Sequence, residues 1–205
     1  MVGKFITIEG IEGAGKSSAM RFIESYLQES KINFVSTREP GGTPAAEAIR
    51  QILLAPNDEA ITSETELLLM FASRSQHVTH VILPALKAGR WVVSDRFTDA
   101  SYAYQGGGRR LSIEQITQLE HWVTNNTQPD LTILLDVSPE IGLARAKHRG
   151  PHDRIEQEKQ DFFARVRAVY LARAKQFPQR IHVIDASQSE EKVRAEIKTQ
   201  LDCFL

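Results

Sequence analysis

The sequence predicts an α/β protein in which helices cover both faces of a five-stranded parallel sheet. Short apolar runs alternate along the chain with stretches of helical periodicity, which is the order that successive βα units produce. The runs are apolar throughout, as in strands that are buried on both faces of a sheet. They cover residues 5–8, 34–36, 91–93, 131–135 and 181–184.

Three of the intervening stretches carry recognisable helix signals. From Ala19 onward, apolar residues recur at i, i+3, i+4, i+7 and i+8, the pattern of a helix with one buried face. Ser112 and Gln115 form a capping-box pattern ahead of a second apolar face. Ser138 followed by Pro139 predicts the start of another helix, with the serine as cap and the proline in the first turn.

Length and charge limit the classes of protein to consider. The 205 residues suffice for one domain with a substantial core, so we expect a single domain over residues 1–205. The net charge of -1 provides no basic field for nucleic acid, so an anionic substrate must be held by local groups. We see no signal peptide and no apolar stretch near the length of a membrane span, and therefore expect a cytoplasmic protein without membrane or nucleic-acid partners.

The strongest motif is a GxxxxGK[ST] pattern, GIEGAGKS, which follows the first apolar run and precedes the first helical stretch. This is the context of a P-loop, whose glycines let the backbone N–H groups and the helix N-terminus approach phosphates closely. We expect Lys16 to contact the β- and γ-phosphates and the Ser17 hydroxyl to bind Mg²⁺. The residues expected at the phosphates are Gly10, Ile11, Glu12, Gly13, Ala14, Gly15, Lys16, Ser17 and Ser18.

An acidic residue directly follows two of the apolar runs, where P-loop proteins often place a carboxylate of the Mg²⁺ shell. The two candidates are Asp95 and Asp136. Asp95 precedes Arg96, whose planar guanidinium is suited to hold a phosphate while the acid faces the metal. A local ion pair at a strand end would explain the same dipeptide, but the P-loop upstream favours a functional role.

Arg38 and the loop that follows it form a second candidate anion site. The segment REPGGT comes directly after the second apolar run. Open α/β sheets bind ligands at the carboxyl ends of their strands, so Arg38, Arg96 and the P-loop should meet in one crevice. Two anion sites in one crevice indicate phosphoryl transfer between two nucleotides and not simple hydrolysis.

Together these motifs resemble the thymidylate kinase family, and the resemblance runs through nearly the whole chain. IEGIEGAGKS, TREPGGT, SDRF and AYQGGGR occur in this order and are followed by DRIE. The family implies a three-layer P-loop NTPase fold of the nucleoside monophosphate kinase type, with a short mobile lid at about residues 144–160. It also implies Mg²⁺-dependent transfer of a phosphoryl group from ATP to thymidine monophosphate (dTMP), and a homodimer.

The resemblance further implies roles for individual acceptor-site residues. Glu12 would accept a hydrogen bond from the sugar 3′-OH, and Tyr104 would crowd the 2′ position and disfavour ribonucleotides. Phe71 would stack on thymine, although its spacing alone is typical of a core residue, and Arg74 would reach a base carbonyl. The expected acceptor-binding residues are Glu12, Arg38, Pro40, Phe71, Arg74, Arg96, Ser101, Tyr104 and Gln105.

The variable positions of the P-loop include no arginine, so the resemblance implies that the lid supplies the catalytic arginine. Arg154 is the first candidate and Arg149 the second. Arg145 would stack on the adenine of ATP. The expected catalytic residues are Lys16, Asp95, Arg149 and Arg154, and the expected metal ligands are Ser17 and Asp95.

Two other functions are compatible with part of the sequence. A kinase for another pyrimidine nucleoside monophosphate is one of them, because a single methyl group discriminates thymine from uracil by only about 1–3 kcal/mol. A P-loop switch protein is the other, but it should carry an Asn/Thr-Lys-x-Asp motif that reads guanine, and we find none.

Overall fold

Five parallel strands form the centre of the computed structural model, which describes residues 3–55, 59–147 and 153–205. Their order across the sheet is β2-β3-β1-β4-β5. Each strand begins at the residue predicted from the sequence and extends one or two residues further, which confirms the predicted parallel sheet. The strands are β1 (Phe5–Glu9), β2 (Phe34–Arg38), β3 (Trp91–Asp95), β4 (Leu131–Asp136) and β5 (Ile181–Asp185).

Helices connect the strands and continue beyond the last one. Two π-helical segments, Val78–Ile82 and Tyr102–Gly108, continue the α-helices Ser63–His77 and Thr98–Ser101 respectively. No helix among the described residues is long and apolar enough to span a membrane. The α-helices are α1 (Lys16–Glu29), α2 (Pro44–Leu54), α3 (Ser63–His77), α4 (Leu83–Lys87), α5 (Thr98–Ser101), α6 (Ile113–Thr124), α7 (Pro139–Lys147), α8 (Gln160–Gln176) and α9 (Glu190–Phe204).

Successive residues of the central strand β1 pack into different apolar clusters. Phe5 packs with Ile82 of the π-helical segment after α3, whereas Ile6 belongs to the larger cluster that contains Ile23 of α1. Because successive side chains of a strand point to opposite faces, helices cover both faces of the sheet. The predicted three-layer α/β arrangement is confirmed.

Predicted capping residues occupy the starts of two helices. Ser112 Oγ accepts a hydrogen bond from Gln115 N at 3.3 Å, directly before α6. Ser138 Oγ accepts one from Ile141 N at 3.4 Å, and Pro139 opens α7. These bonds satisfy backbone N–H groups that a helix leaves unpaired in its first turn.

The AYQGGGR motif lies in the π-helical segment that follows α5 and packs against α8. A Cβ atom on Gly108 would lie 2.4 Å from Phe162 Cε2, so only glycine permits this close approach. Arg165 Nη2 donates a hydrogen bond to the Gly108 carbonyl at 3.0 Å. Helix α8 therefore supports the segment that carries Tyr104 and Gln105.

Asp99 links this region to α8 and to the start of β5. It is 1% exposed and accepts hydrogen bonds from Arg173 Nε at 2.5 Å and Arg180 Nη1 at 2.6 Å. Burial opposes ionisation, but the hydrogen bonds and charges of Arg180 and Arg173 hold the pKa of Asp99 below its usual value. A buried carboxylate with two cationic partners is costly to leave incomplete.

We therefore expect Asp99→Asn to lower the free energy of unfolding by about 3 kcal/mol, because two half-buried arginines lose their counter-charge. Urea denaturation at neutral pH measures the change. Since the pKa of Asp99 is lowered, its contribution should be present above pH 3.8 and should disappear as the pH falls through the lowered value. The control is Asp202→Asn in an exposed pair with Lys198, which should change stability little. Equal stability of the wild type and Asp99→Asn would contradict this prediction.

Candidate active site

A cavity of about 250 Å³ opens beside the carboxyl ends of β1, β2 and β3. Its walls include the P-loop, the REPGGT loop, α3 and the π-helical segment after α5, together with Asp153, Ile155 and Glu156. The cavity brings together most of the residues predicted to bind phosphate or acceptor. Those that line it are Glu12, Gly13, Lys16, Ser17, Arg38, Pro40, Arg74, Asp95, Arg96, Ser101, Tyr104 and Gln105.

The P-loop connects β1 to α1, and α1 begins at Lys16. Lys16 Nζ donates hydrogen bonds to the carbonyl oxygens of Gly10 at 3.1 Å and Ile11 at 3.0 Å. Burial and the charge of Arg96 lower the pKa of Lys16 to about 8. At neutral pH the lysine is therefore charged, and its bonds inside the loop are available for exchange with phosphate oxygens.

Gly13 brings the P-loop into direct contact with α7. Its φ of 72° lies in the left-handed region, and a Cβ atom at this position would lie 1.9 Å from Gly142 O. Any other residue would push the loop away from the helix or change its path. The conformation of the phosphate loop thus depends on a contact with a residue far along the chain.

Asp95 and Ser17, the two predicted metal ligands, both line the cavity. Asp95 Oδ1 is buried and has no hydrogen-bond partner among the residues that the structure describes. Carboxylate and hydroxyl oxygen atoms are the ligands that Mg²⁺ prefers. Asp136, the other candidate, instead accepts two hydrogen bonds from Arg167, at 2.7 and 2.8 Å. Of the two predicted carboxylates, Asp136 is therefore paired with an arginine, and Asp95 keeps an oxygen without a partner in the described structure.

Arg96, which lines the same cavity as Lys16, lies at the centre of a hydrogen-bonded cluster. Its guanidinium donates to Glu12 Oε1 at 2.9 Å, Tyr104 Oη at 3.0 Å and Tyr170 Oη at 3.2 Å. Tyr104 in turn donates to Glu12 Oε2 at 2.6 Å. Three predicted residues therefore form one unit, and Tyr170 of α8 is a member that the sequence did not indicate.

The backbone of Arg96 is left-handed, with φ 72°, which is uncommon for a residue other than glycine. Ser94 Oγ donates to the Arg96 carbonyl at 2.8 Å, and Glu9 Oε1 accepts from Phe97 N at 2.7 Å. These two bonds hold the strand end in the conformation that directs Arg96 toward the cavity. Backbone outliers of this kind concentrate at functional sites.

Glu9 is a supporting residue that sequence reasoning missed. It is fully buried at the end of β1, and its second carboxylate oxygen accepts from Tyr170 Oη at 2.7 Å. Burial and the nearby charge of Asp99 raise the pKa of Glu9 to about 7. An acid at the end of an otherwise apolar strand, directly before the P-loop, was the available signal.

Arg74 is held in a fixed orientation by α3 and its neighbours. Its Nε donates to Glu39 Oε2 at 2.7 Å, Nη1 to Ser101 Oγ at 2.9 Å and Nη2 to Phe97 O at 3.0 Å. A guanidinium carries five N–H groups, so two remain for a ligand in the cavity that Arg74 lines. This arrangement is compatible with the predicted contact to a base carbonyl.

Phe71 does not line the cavity. It is 2% exposed, belongs to a core cluster with Leu67, and packs its ring 4.6 Å from the guanidinium carbon of Arg74. The preceding residue, Met70, is the apolar residue of α3 that lines the cavity. This geometry matches the core role that spacing alone indicated and does not bring Phe71 to a stacking position.

The REPGGT loop is anchored to α3 by buried side chains. Glu39 accepts from Arg74 and lies 2.8 Å from Nδ1 of His77, which is fully buried. Gly41 N donates to Ser73 Oγ at 3.1 Å. Glu39, Ser73 and His77 were not predicted, because their partners lie more than 30 residues away in sequence.

Two arginines flank this loop at the cavity. The predicted Arg38 has a side chain that is 54% exposed and pairs with Glu47 at 3.0 Å. Arg50 of α2, which was not predicted, lines the cavity and donates to the carbonyl of Pro40 at 2.8 Å. Arg50 is therefore a further cation at the cavity, and the sequence did not indicate it.

Arg154 is directed away from the phosphate loop. Its Nε donates to Leu53 O at 2.9 Å and its Nη2 to Glu66 Oε2 at 2.5 Å. Its neighbours Asp153, Ile155 and Glu156 line the cavity, but Arg154 does not. In this conformation the predicted catalytic arginine caps the end of α2 and pairs with α3.

The remaining predictions for the lid have different outcomes. Arg149 lies outside the described residues. Residues 144–147 continue α7, so the helix extends into the range predicted for the lid. Arg145 donates to Ala186 O at 2.8 Å and lines a second groove on the other side of the P-loop, with Ser18 and Gln188.

Because the pKa of Lys16 is about 8, the protein should take up a proton when it binds a polyphosphate such as ATP above that pH. The anion favours the charged amine and raises its pKa, so affinity should fall as the pH rises past about 8, with uptake of a proton. Calorimetry in two buffers of different ionisation enthalpy measures the uptake. Lys16→Arg remains charged and should show none. Identical proton uptake by the wild type and by Lys16→Arg would contradict the assignment of this proton to Lys16.

Comparison with known proteins identifies the family of this chain. The family model described as thymidylate kinase matches residues 8–197. A thymidylate kinase of Ruthia magnifica subsp. Calyptogena magnifica is 57% identical over 196 residues, 96% of each chain. One of Ectopseudomonas mendocina is 54% identical over 205 residues, covering 100% of this chain and 98% of the relative. The crystal structure of thymidylate kinase from Ehrlichia chaffeensis superposes with a TM-score of 0.80 at 33% identity, covering 98% of this chain and 99% of that one. The chain belongs to the thymidylate kinase family.

Proposed function

We propose that this chain transfers the γ-phosphoryl group of ATP to dTMP, giving dTDP and ADP for dTTP biosynthesis. The observation that carries the proposal is the presence of two anion sites in one cavity, Lys16 in the P-loop and the cluster around Arg96. Simple hydrolysis needs only the first of them. Membership of the thymidylate kinase family supports dTMP as the acceptor and does not favour the switch protein or another pyrimidine kinase.

The donor side of the cavity is suited to ATP. The N–H groups of the P-loop and the N-terminus of α1 would bind the phosphates, and Lys16 would exchange its loop carbonyls for phosphate oxygens. The adenine would lie in the second groove beside Arg145. Ser17 and Asp95 would hold Mg²⁺, which would neutralise charge that develops on the phosphates during transfer.

The acceptor side would hold dTMP by its phosphate and sugar. Arg96, with Arg38 and Arg50 near it, would bind the phosphate, and Glu12 would accept the 3′-OH. The acceptor phosphate oxygen is already a nucleophile, so the protein needs to position the two nucleotides in line and to stabilise charge. We therefore propose neither a general base nor a phosphorylated enzyme intermediate.

The base would lie between polar and apolar walls of the same cavity. The two remaining N–H groups of Arg74 would bind a base carbonyl, and Ser101 and Gln105 would contribute the other polar contacts. Leu54, Met70 and Ile155 line the cavity as the apolar surface for a flat ring.

A homodimer in the cytoplasm completes the proposal. Two large apolar side chains are exposed on neighbouring helices, Leu68 of α3 at 58% and Trp122 of α6 at 81%. Contact with a second copy would remove such side chains from water. A cytoplasmic location is supported by the proposed substrates, since free nucleotides carry several negative charges and do not cross membranes unaided.

The first test is an ADP-release assay with ATP and Mg²⁺ and with dTMP, dUMP, dGMP, CMP or no acceptor. We expect the highest kcat/KM with dTMP and no turnover without Mg²⁺. Arg96→Met should lower kcat/KM for dTMP by about 100-fold or more, because a buried charge-assisted phosphate contact is lost. Arg90→Met is the matched control, since Arg90 lies directly before β3 and Arg96 directly after it. Equal ADP release without acceptor would identify an ATPase and contradict the proposal.

The lid arginine gives a second test. Arg154→Met should lower kcat by about 1000-fold with little change in KM for dTMP, as expected for a charge that acts on the transferring phosphoryl group. The control is again Arg90→Met, since Arg90 lies outside the cavity and its side chain bonds only to Asn33 and Phe34 in the described structure. An unchanged kcat together with lower stability would show that Arg154 serves only as a tether to Glu66 and Leu53.

A further inference from the structure

The side-chain amide of Gln105 is held by a buried carboxylate behind the cavity wall. Gln105 Nε2 donates to Glu66 Oε1 at 2.8 Å. Gln105 lines the cavity, whereas Glu66 is 1% exposed and does not. The other amide atom, Oε1, makes no hydrogen bond to any residue that the structure describes. One end of the amide is thus bound inside the protein, and the other is left for a ligand.

The surroundings of Glu66 prevent the Gln105 amide from flipping, that is, from exchanging the positions of Nε2 and Oε1. Glu66 also accepts from Arg109 Nε at 3.2 Å and from Arg154 Nη2 at 2.5 Å. Burial opposes its ionisation, but the hydrogen bonds from Arg109 and Gln105 hold the pKa of Glu66 below its usual value. An ionised carboxylate only accepts hydrogen bonds, so a reversed amide would place two acceptors against each other. Gln105 therefore keeps its Nε2 on Glu66 and presents Oε1 to the cavity.

Arg74 completes the pattern that a ligand would meet. It lines the same cavity and can only donate, because a guanidinium has no acceptor. A ligand edge that fits both residues needs a carbonyl oxygen for Arg74 next to an N–H for Gln105 Oε1. Thymine and uracil offer this pair as O4 and N3–H. Cytosine offers the reverse pair, an amino group and an unprotonated N3.

We propose that Glu66 is a specificity-determining residue that acts through Gln105 to select 4-keto pyrimidines and to reject cytosine. The proposal rests on the proposed function, because it requires the acceptor base to lie beside Arg74 and Gln105. Glu66 itself touches no substrate and is a positioning residue. Its role is distinct from its ion pairs with Arg109 and Arg154, which affect every acceptor alike.

The test is Glu66→Gln with dTMP, dUMP and dCMP as acceptors. The new amide can donate to Gln105 Oε1, so Gln105 can turn and present Nε2, which suits the N3 of cytosine. We expect the ratio of kcat/KM for dCMP to that for dTMP to rise about 10-fold, because one of two mismatched contacts is relieved. The ratio for dUMP to dTMP should not change, since both bases carry N3–H. If Arg109 and Arg154 lose their fixed positions in this variant, kcat/KM changes by the same factor for all three acceptors, and this factor cancels in the ratios.

The chain offers a matched control in Glu120→Gln. Glu120 is 6% exposed, accepts the amide of Gln128 at 2.8 Å and the hydroxyl of Tyr102 at 2.5 Å, and lies outside the cavity. This variant removes the same charge from an equivalent glutamate–glutamine pair. It should leave all acceptor ratios at their wild-type values.

Two further measurements separate the possible failures. In a Gln105→Leu background, adding Glu66→Gln should not change the ratio again, because Glu66 acts through the amide. Gln105→Leu by itself should also raise the ratio of kcat/KM for dCMP to that for dTMP, which keeps the proposal testable if Glu66→Gln does not fold.

Equal loss of activity with all three acceptors in Glu66→Gln would overturn the proposal, and so would a wild-type ratio in Gln105→Leu. Failure of the wild type to use dTMP would contradict the proposed function instead, and would appear before any variant is measured.

Discussion

The active end of this protein depends on the placement of one guanidinium, that of Arg96. Its left-handed backbone would be unfavourable without the bonds from Ser94 and to Glu9, and its head group is held by Glu12, Tyr104 and Tyr170. These partners come from β1, the P-loop, β3, the π-helical segment after α5 and α8. A single cation thus joins the phosphate loop to the acceptor side, and the bonds that fix it also fix the distance between the two anion sites.

Other buried acids position cations and polar groups in a similar way. Glu39 holds Arg74, Glu66 holds Arg109 and Arg154, and the acid Asp99 at the base of the π-helical segment holds Arg173 and Arg180. Charges with so little access to water persist only when they are paired and hydrogen-bonded. The pairs therefore restrict each arginine to one orientation. Rigid support of this kind is what a site needs when catalysis consists of positioning and electrostatic stabilisation.

Several groups of the site are prepared for ligands. Lys16 bonds to carbonyls of its own loop, Asp95 has a buried carboxylate oxygen without a partner in the described structure, and Gln105 has a free Oε1. Arg154, by contrast, is fully engaged by Leu53 and Glu66. The proposed catalysis therefore requires Arg154 to leave these two partners, whereas the proposed phosphate and acceptor sites need only exchange hydrogen bonds.

The sequence by itself determined the strands, the capped helix starts, the P-loop and the presence of Arg96 directly after a strand, because each depends on residues close together in the chain. Periodicity, capping and loop chemistry are local properties. Only the tertiary structure decided that Met70 and not Phe71 lines the cavity, that Asp95 and not Asp136 keeps a carboxylate oxygen without a partner among the described residues, and that Arg154 pairs with Glu66, 88 residues away. The orientation of a helix about its axis and the pairing of distant charges depend on how the whole chain packs, and no local pattern contains that information.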